Sequence, residues 1–254
     1  MILINLLYCT VYNAVLNALV EEKLIDTTDN ANIYEISYTK DGKHLKMKKK
    51  KVLSHLGQSG YNRLMIEIEV LKALSHPNIM KMYGYDNEGY LTAMPETSAR
   101  DPLTKLKYFP YDFKEFANQM VSVLYELEFK EVGHMDIRPE KIVIIDGIYT
   151  LIGFDLALHG RIGRGIRGSV NYAAPEVLES KNGELYLTSK ADMYSMGVTL
   201  WSLYNGEGHR DCVRDQKRVK SRFDQLINSM TDCNPQNRPS IESLFTDSWL
   251  TDED

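Results

Sequence analysis

Cysteine is scarce. The chain of 254 residues carries Cys9, Cys212 and Cys233, an odd number, far apart and without CxxC spacing. That excludes a disulfide framework and makes a reducing, cytoplasmic compartment the expectation. Surplus positive charge is missing too. Thirty Lys and Arg stand against 35 Asp and Glu, a net charge of -5, so no basic face outweighs the acids and a nucleic-acid partner is not expected. No internal repeat or low-complexity segment is present. The apolar (43%) and charged (26%) fractions are those of an ordinary soluble chain, long enough for one large domain or two lobes.

Residues 1–20, "MILINLLYCTVYNAVLNALV", hold no charged side chain, and Glu21 is the first. A mostly apolar stretch of this length is able to span a bilayer. Asn5, Asn13 and Asn17 interrupt it, however, and no basic cluster flanks it. A positive n-region and a small-residue cleavage site are not evident either. The segment reads first as a helix packing its apolar side on the domain or a partner, with membrane insertion or a signal peptide as the alternatives.

Short strands are expected from Ile25 onward. "NIYEISYTKDGKHLKMKKKKV" alternates, turns at Asp41-Gly42 and resumes as a β-hairpin. "YNRLMIEIEVLKALS" spaces Leu64, Ile68, Leu71 and Leu74 as one face of a helix, which His76-Pro77-Asn78 stops. "NIMKMYGYDNEGYLTAM" is a second hairpin around Asn87-Glu88-Gly89. After Tyr111 helical periodicity dominates, in "DFKEFANQMVSVLYELEF", "SKADMYSMGVTLWSLYNG" and "RFDQLINSMTDC". A strand-rich third followed by a helix-rich remainder predicts two lobes.

Several stretches, in order over residues 21–250, resemble the protein kinase superfamily. Met47-Lys48 ends a strand like the VAIK lysine, and Glu67 sits where the family's helix-C glutamate does. "HMDIRPEK" resembles HRDLKPEN, "GFD" falls where DFG belongs, and "GSVNYAAPEVL" resembles the segment ending in APE. "ADMYSMGVTLW" and "NPQNRPSIESLFTDSWL" look like the closing helices. The resemblance implies an α+β, bilobal kinase-like fold. Its parts are an apolar segment 1–20, a small β-rich N-lobe 21–95 and a larger helical C-lobe 96–254. "HMDIRPEKIVI", with Arg138, and "DSWLTDED" are similar to the giant muscle kinases of the titin and obscurin type.

Phosphoryl transfer needs positioned phosphates, usually two Mg²⁺ ions and a base near the acceptor hydroxyl. Mg²⁺ wants oxygen ligands in near-octahedral array. At the two metal-ligand positions the chain has Lys141 and Gly153; Asp155, beyond Phe154, is expected to point elsewhere. Counting back from Lys48 without a gap, Asp26, Thr28 and Ala31 take the three glycine positions of the phosphate loop, and Lys46 replaces the VAIK alanine. Glycine there lets backbone approach phosphate. Asp26 adds a repulsion of about 1 kcal/mol at about 4 Å even in water.

The resemblance also assigns what remains. Lys48 and Glu67 form the ion pair that holds phosphates or simply clamps the helix. Asp136 stands at the base position, and Met135 replaces the arginine that reads a phosphorylated activation segment. Arg161, Arg164 and Arg167 in that segment read as a solvated run or a dock for an acidic partner. His134, Phe154, Glu176, Asp192, Gly197 and Arg238 stand where the family's fold-holding residues do, Glu176 pairing with Arg238 and Asp192 bracing the catalytic loop. Fold positions match while nucleotide and metal positions depart. This implies a pseudokinase, not an enzyme: an interaction, scaffolding or regulatory module in signalling. Its partner is then a protein, an active kinase or its substrate, with no Mg²⁺ and weak or absent ATP binding. A weak or unconventional serine/threonine kinase and a metal-independent nucleotide switch are the alternatives.

Overall fold

A computed structural model describes residues 13–15, 17–28, 30–93, 110–205 and 221–251. They form two compact units, one of residues 1–75 and 80–96, the other of 76–79 and 97–254. The fold is the bilobal α+β kinase fold, a five-stranded antiparallel sheet in the N-terminal unit and a helical C-terminal one.

In the N-terminal unit β1 (Leu19–Thr27), β2 (Ala31–Lys40), β3 (Lys43–Val52), β4 (Met82–Tyr85) and β5 (Gly89–Ala93) are ordered β1-β2-β3-β5-β4. Asp41 and Gly42 both have positive φ, 50° and 74°, the geometry that matches a two-residue turn to the twist of β2 and β3. Sheet pairing therefore runs in register from Lys40–Lys43 to Ala31–Val52. One face of the sheet carries Ile36, Met47 and Leu91, buried together with Val15. The opposite face carries Ile33, Lys50 and Tyr90 in neighbouring positions. Helix α1 (Gly57–Ala73) buries Gly60, Leu64, Glu67, Ile68 and Leu71, a stripe at helical spacing. It ends at Ala73, where Leu74 turns extended ahead of the proline.

Two expectations for the N-terminus are corrected. Strand structure starts at Leu19, not Ile25, and crosses the expected boundary at residue 20. All nine β1 residues are exposed, so the alternation that marks a strand is missing there. Val15 is buried against the sheet, while residues 1–12 of the apolar segment lie outside the described residues. Among the described residues no helix is long and apolar enough to cross a membrane.

The C-terminal unit is built on α2 (Pro110–Phe129) and α4 (Thr188–Asn205), and α4 is buried on nearly every side. Between them run β6 (Val132–Gly133), the hairpin β7 (Ile142–Ile145) and β8 (Ile148–Leu151), β9 (Leu158–His159), β10 (Ile162–Arg164), α3 (Pro175–Glu179) and β11 (Leu185–Leu187). Among the described residues the short helices α5 (Arg222–Met230), α6 (Ile241–Leu244) and α7 (Ser248–Thr251) follow. Ser221 and Asp224 close a reciprocal cap at the start of α5. A β-carbon on Gly197 would lie 2.7 Å from Thr231 Cγ2 and 2.9 Å from Met230 Cβ, so glycine sets the close approach of α4 to the end of α5. Residues 76–79 belong to this unit because Asn78 is held there. Its carbonyl accepts from Leu151 N–H at 2.8 Å, and its side-chain amide donates to Tyr149 O and Gln119 Oε1.

Candidate active site

The β3 lysine is Lys50, not Lys48. Lys50 Nζ donates to both carboxylate oxygens of Glu67, at 2.7 and 3.0 Å, and Tyr90 Oη donates to Glu67 Oε1 at 2.8 Å. Glu67 is only 3% exposed, so its charge is kept in the interior by two donors. Lys48 lies on the same face, two residues earlier, beside Glu35 and Thr92 in the pairing of β3 with its neighbours. It therefore takes the place of the VAIK alanine. Lys46, expected there, is an exposed partner of Glu35 at 2.6 Å.

Ile33 lies directly across from Lys50, and a gapless count back from Lys50 moves the three loop positions from Asp26, Thr28 and Ala31 to Thr28, Asn30 and Ile33, none of them glycine. Asp26, Thr28 and Ala31 form a turn closed on itself. Thr28 Oγ1 accepts from Ala31 N–H at 3.1 Å and donates to Ala31 O at 3.1 Å, while Thr28 N–H donates to Ala31 O. Asp26 Oδ1 accepts from Thr27 N–H. The Thr27, Thr28 and Ala31 amides, which a glycine loop would leave open for phosphate, are engaged here, which does not fit a phosphate cradle.

In the C-terminal unit the catalytic-loop stretch is braced from behind. Asp192, 1% exposed, accepts from His134 N–H at 2.6 Å and Met135 N–H at 2.9 Å. These bonds hold Met135 at φ 66°, a conformation few non-glycine residues adopt. Burial pushes the Asp192 carboxyl up to about 7, against the pull of the two amides. His134 is fully buried, packs edge-on against Phe154 with ring centroids 4.7 Å apart, and is pushed down to about 4 by desolvation. The neutral ring donates from Nε2 to Ile152 O and accepts at Nδ1 from Asp136 N–H.

Met135 packs with Ala174, Val177, Tyr186 and Tyr194, so apolar contact stands where an arginine would bind phosphate. Arg238, wholly buried, makes a bidentate pair with Glu176 at 2.6 and 2.8 Å and donates to the Lys190 and Asp232 carbonyls. Arg161 pairs with Glu131 at the surface.

Asp136 is 6% exposed and both of its carboxylate oxygens are engaged. Oδ1 accepts from Ser169 N–H at 3.0 Å and Ser169 Oγ at 2.8 Å. Oδ2 faces Arg138 Nε at 3.3 Å and Lys141 Nζ at 3.6 Å. Lys141 Nζ also donates to Asp155 Oδ1 at 3.2 Å. This corrects the expectation for Asp155. Gly153 sits at φ 81° and residues 154–156 form a 3₁₀ turn, which swings the carboxylate back to Lys141.

Gly153 is tied to the same lysine. A β-carbon there would lie 2.6 Å from both Lys141 Cδ and Nζ. The two family positions for metal ligands thus hold an ammonium and the space it fills, and do not fit Mg²⁺. Ser169 and Tyr90 escaped the sequence reading, and Asp155 was given the wrong direction. Only Ser169 carried a signal, standing six residues before Pro175 in a matching segment.

The family model for the protein kinase domain matches residues 21–250. The chain belongs to the protein kinase family. Aurora kinase of Schizosaccharomyces pombe is 28% identical over 72% of this chain and 58% of its own length. Maternal embryonic leucine zipper kinase of Danio rerio is 27% identical over 74% of the chain and 31% of its own. PAS domain-containing serine/threonine-protein kinase of Mus musculus is 28% identical over 81% of the chain and 16% of its own. The chain thus spans less than two thirds of each of these relatives. The expectation that it is not an enzyme is overturned: the matching model is that of the protein kinase domain, and these relatives are kinases by name.

Proposed function

We propose that this chain is an unconventional serine/threonine protein kinase, slow compared with the family's usual turnover of about 1–100 s⁻¹. The observation that carries the reading is the buried Asp136 carboxylate at the base position, oriented through Oδ1 by Ser169. A general base must lie within hydrogen-bond reach of the proton it takes, and the two donors of Ser169 fix where the carboxylate points. In the step proposed, the acceptor hydroxyl oxygen forms a bond to the γ-phosphorus and the bond from that phosphorus to the β-phosphate oxygen breaks. ADP leaves with the electron pair, and the hydroxyl proton passes to Asp136.

Lys50, held by Glu67 and Tyr90, fills the position whose family counterpart holds nucleotide phosphates. Nucleotide binding is weak in this reading, because the Asp26–Ala31 turn engages its own amides. The partner is the protein bearing the acceptor serine or threonine, in the cytoplasm. The serine/threonine assignment takes support from the name of the mouse relative.

Purified protein given γ-labelled ATP and a mixture of serine and threonine peptides, with Mg²⁺, Mn²⁺ or a chelator, is expected to label hydroxyl residues slowly. Asp136→Asn is expected to lower that rate by about 100-fold or more. Equal labelling by the variant, or none by the parent under all three conditions, sinks the proposal.

A further inference from the structure

The position of Lys141 raises a question that base placement leaves open: what neutralises the phosphates of the donor. The Lys141 ammonium lies between two carboxylates, 3.2 Å from Asp155 Oδ1 and 3.6 Å from Asp136 Oδ2, the company a bound cation keeps. Its backbone is pinned from both sides. Lys141 N–H donates to Arg138 O, and Lys141 O accepts from Ile152 N–H, each at 2.8 Å. The lysine therefore keeps its place beside residues 152 and 153.

Gly153 completes the arrangement. With φ at 81° and Lys141 Nζ 2.6 Å from where a β-carbon would stand, a side chain at this position requires the lysine to shift. Among the described residues no group of three or more His, Cys, Asp or Glu side chains is placed to hold a metal ion. A divalent ion entering between Asp136 and Asp155 would meet a like charge at contact distance. The ammonium itself has three N–H donors and is 16% exposed. Two donors face carboxylates, and one is left for a phosphate oxygen.

We propose that Lys141 is a tethered cation in the place of the metal, so that this chain binds a nucleoside triphosphate in its metal-free form, with Lys141 meeting the phosphates. The inference rests on the kinase reading for the identity of the ligand. Lys141 and Gly153 then form one substitution in two parts, a cation gained and the side chain in its way removed. A covalently held ammonium needs no octahedral shell of oxygens.

The test measures ATP affinity by calorimetric titration of the whole chain, in EDTA and in excess MgCl₂. Wild type is expected to bind at least as tightly in EDTA as in Mg²⁺. Lys141→Met is expected to weaken binding in EDTA tenfold or more. Lys141→Asn with Gly153→Asp is expected to reverse the preference, Mg²⁺ tightening binding tenfold or more. Thermal unfolding without ligand confirms that each variant is folded.

Tenfold tighter binding of wild type in Mg²⁺, unaltered EDTA binding by Lys141→Met, or no binding in either condition overturns the proposal. Labelling that depends on Asp136 but needs Mg²⁺ removes this inference and leaves the kinase reading standing. ATP binding in EDTA without any labelling does the reverse.

Discussion

Two charged networks lie within a few residues of each other in the C-terminal unit, and they are built on different terms. The first joins Asp192 to the catalytic-loop backbone and Arg238 to Glu176; Asp192 and Arg238 are 1% and 2% exposed, and hydrogen bonds engage both oxygens of Asp192 and all three guanidinium nitrogens of Arg238. The second runs through Asp155, Lys141, Asp136, Arg138 and Glu140, and most of its members are partly open to water. Loss of one partner strands a charge in the first network; water replaces a lost partner in much of the second. The side chains of the first network stand on positions that match the family pattern. The second mixes matching residues, Asp136 and Glu140, with the departure at Lys141, in a place where solvent lowers the cost.

The contrast breaks first at Arg238. Arg238→Ala leaves Glu176 without its partner, and a loss of about 3–5 kcal/mol is expected, read as a fall in denaturant midpoint. A loss under about 1 kcal/mol would place Arg238 with the surface pairs. Asp192→Ala comes next. It orphans the His134 and Met135 amides and is expected to cost about 2–4 kcal/mol, with faster hydrogen exchange at those two amides. Unchanged exchange there would contradict the bracing role.

Within the second network, Gly153→Asp alone is expected to lose about 1–3 kcal/mol, from the left-handed backbone and the contact with Lys141. Adding Lys141→Asn should recover part of that loss. Strict additivity of the two changes would show that the residues are not coupled.

The smallest effect sharpens the comparison through pH. His134, at about 4 when folded against an ordinary 6.5, is charged only in the unfolded chain between those values, so it removes stability as pH falls through that window. Asp192, at about 7 when folded against 3.8, takes up its proton only in the folded chain between those values, so it adds stability as pH falls. The two contributions oppose each other between pH 6.5 and 4. His134→Gln deletes the first, and its stability relative to wild type is expected to rise by about 2 kcal/mol from pH 7 to pH 5. Parallel profiles for the two proteins would rule out a buried, neutral His134.

The order of elements and both N-terminal hairpins were legible because turn chemistry and helical spacing are local signals. Asp41-Gly42 specifies its turn whatever the rest of the chain does. The ion pair to Glu67 was placed two residues early for a reason in the sequence itself. Lys46, Lys48 and Lys50 share one face of β3, and a period of two does not say which of them reaches α1. Asp155 was misplaced because its direction depends on the left-handed Gly153 and the 3₁₀ turn after it. Ser169 meets Asp136 across 33 positions, a contact no spacing announces. Enzyme status was misjudged from single positions, where family membership rests on residues 21–250 together.

The lysines of β3 have one more consequence. Lys46, Lys49, Lys50 and Lys51 each pair with an acid on a different part of the unit, Glu35, Glu22, Glu67 and Glu88. A register slip of one residue either way would bring Lys49 or Lys51 opposite Glu67, and a slip of two would bring Lys48 in one direction but Val52 in the other. The run thus tolerates a slip of a single residue as well as one of two. A small change in the length of the β2–β3 hairpin would therefore still leave a lysine within reach of the helix glutamate.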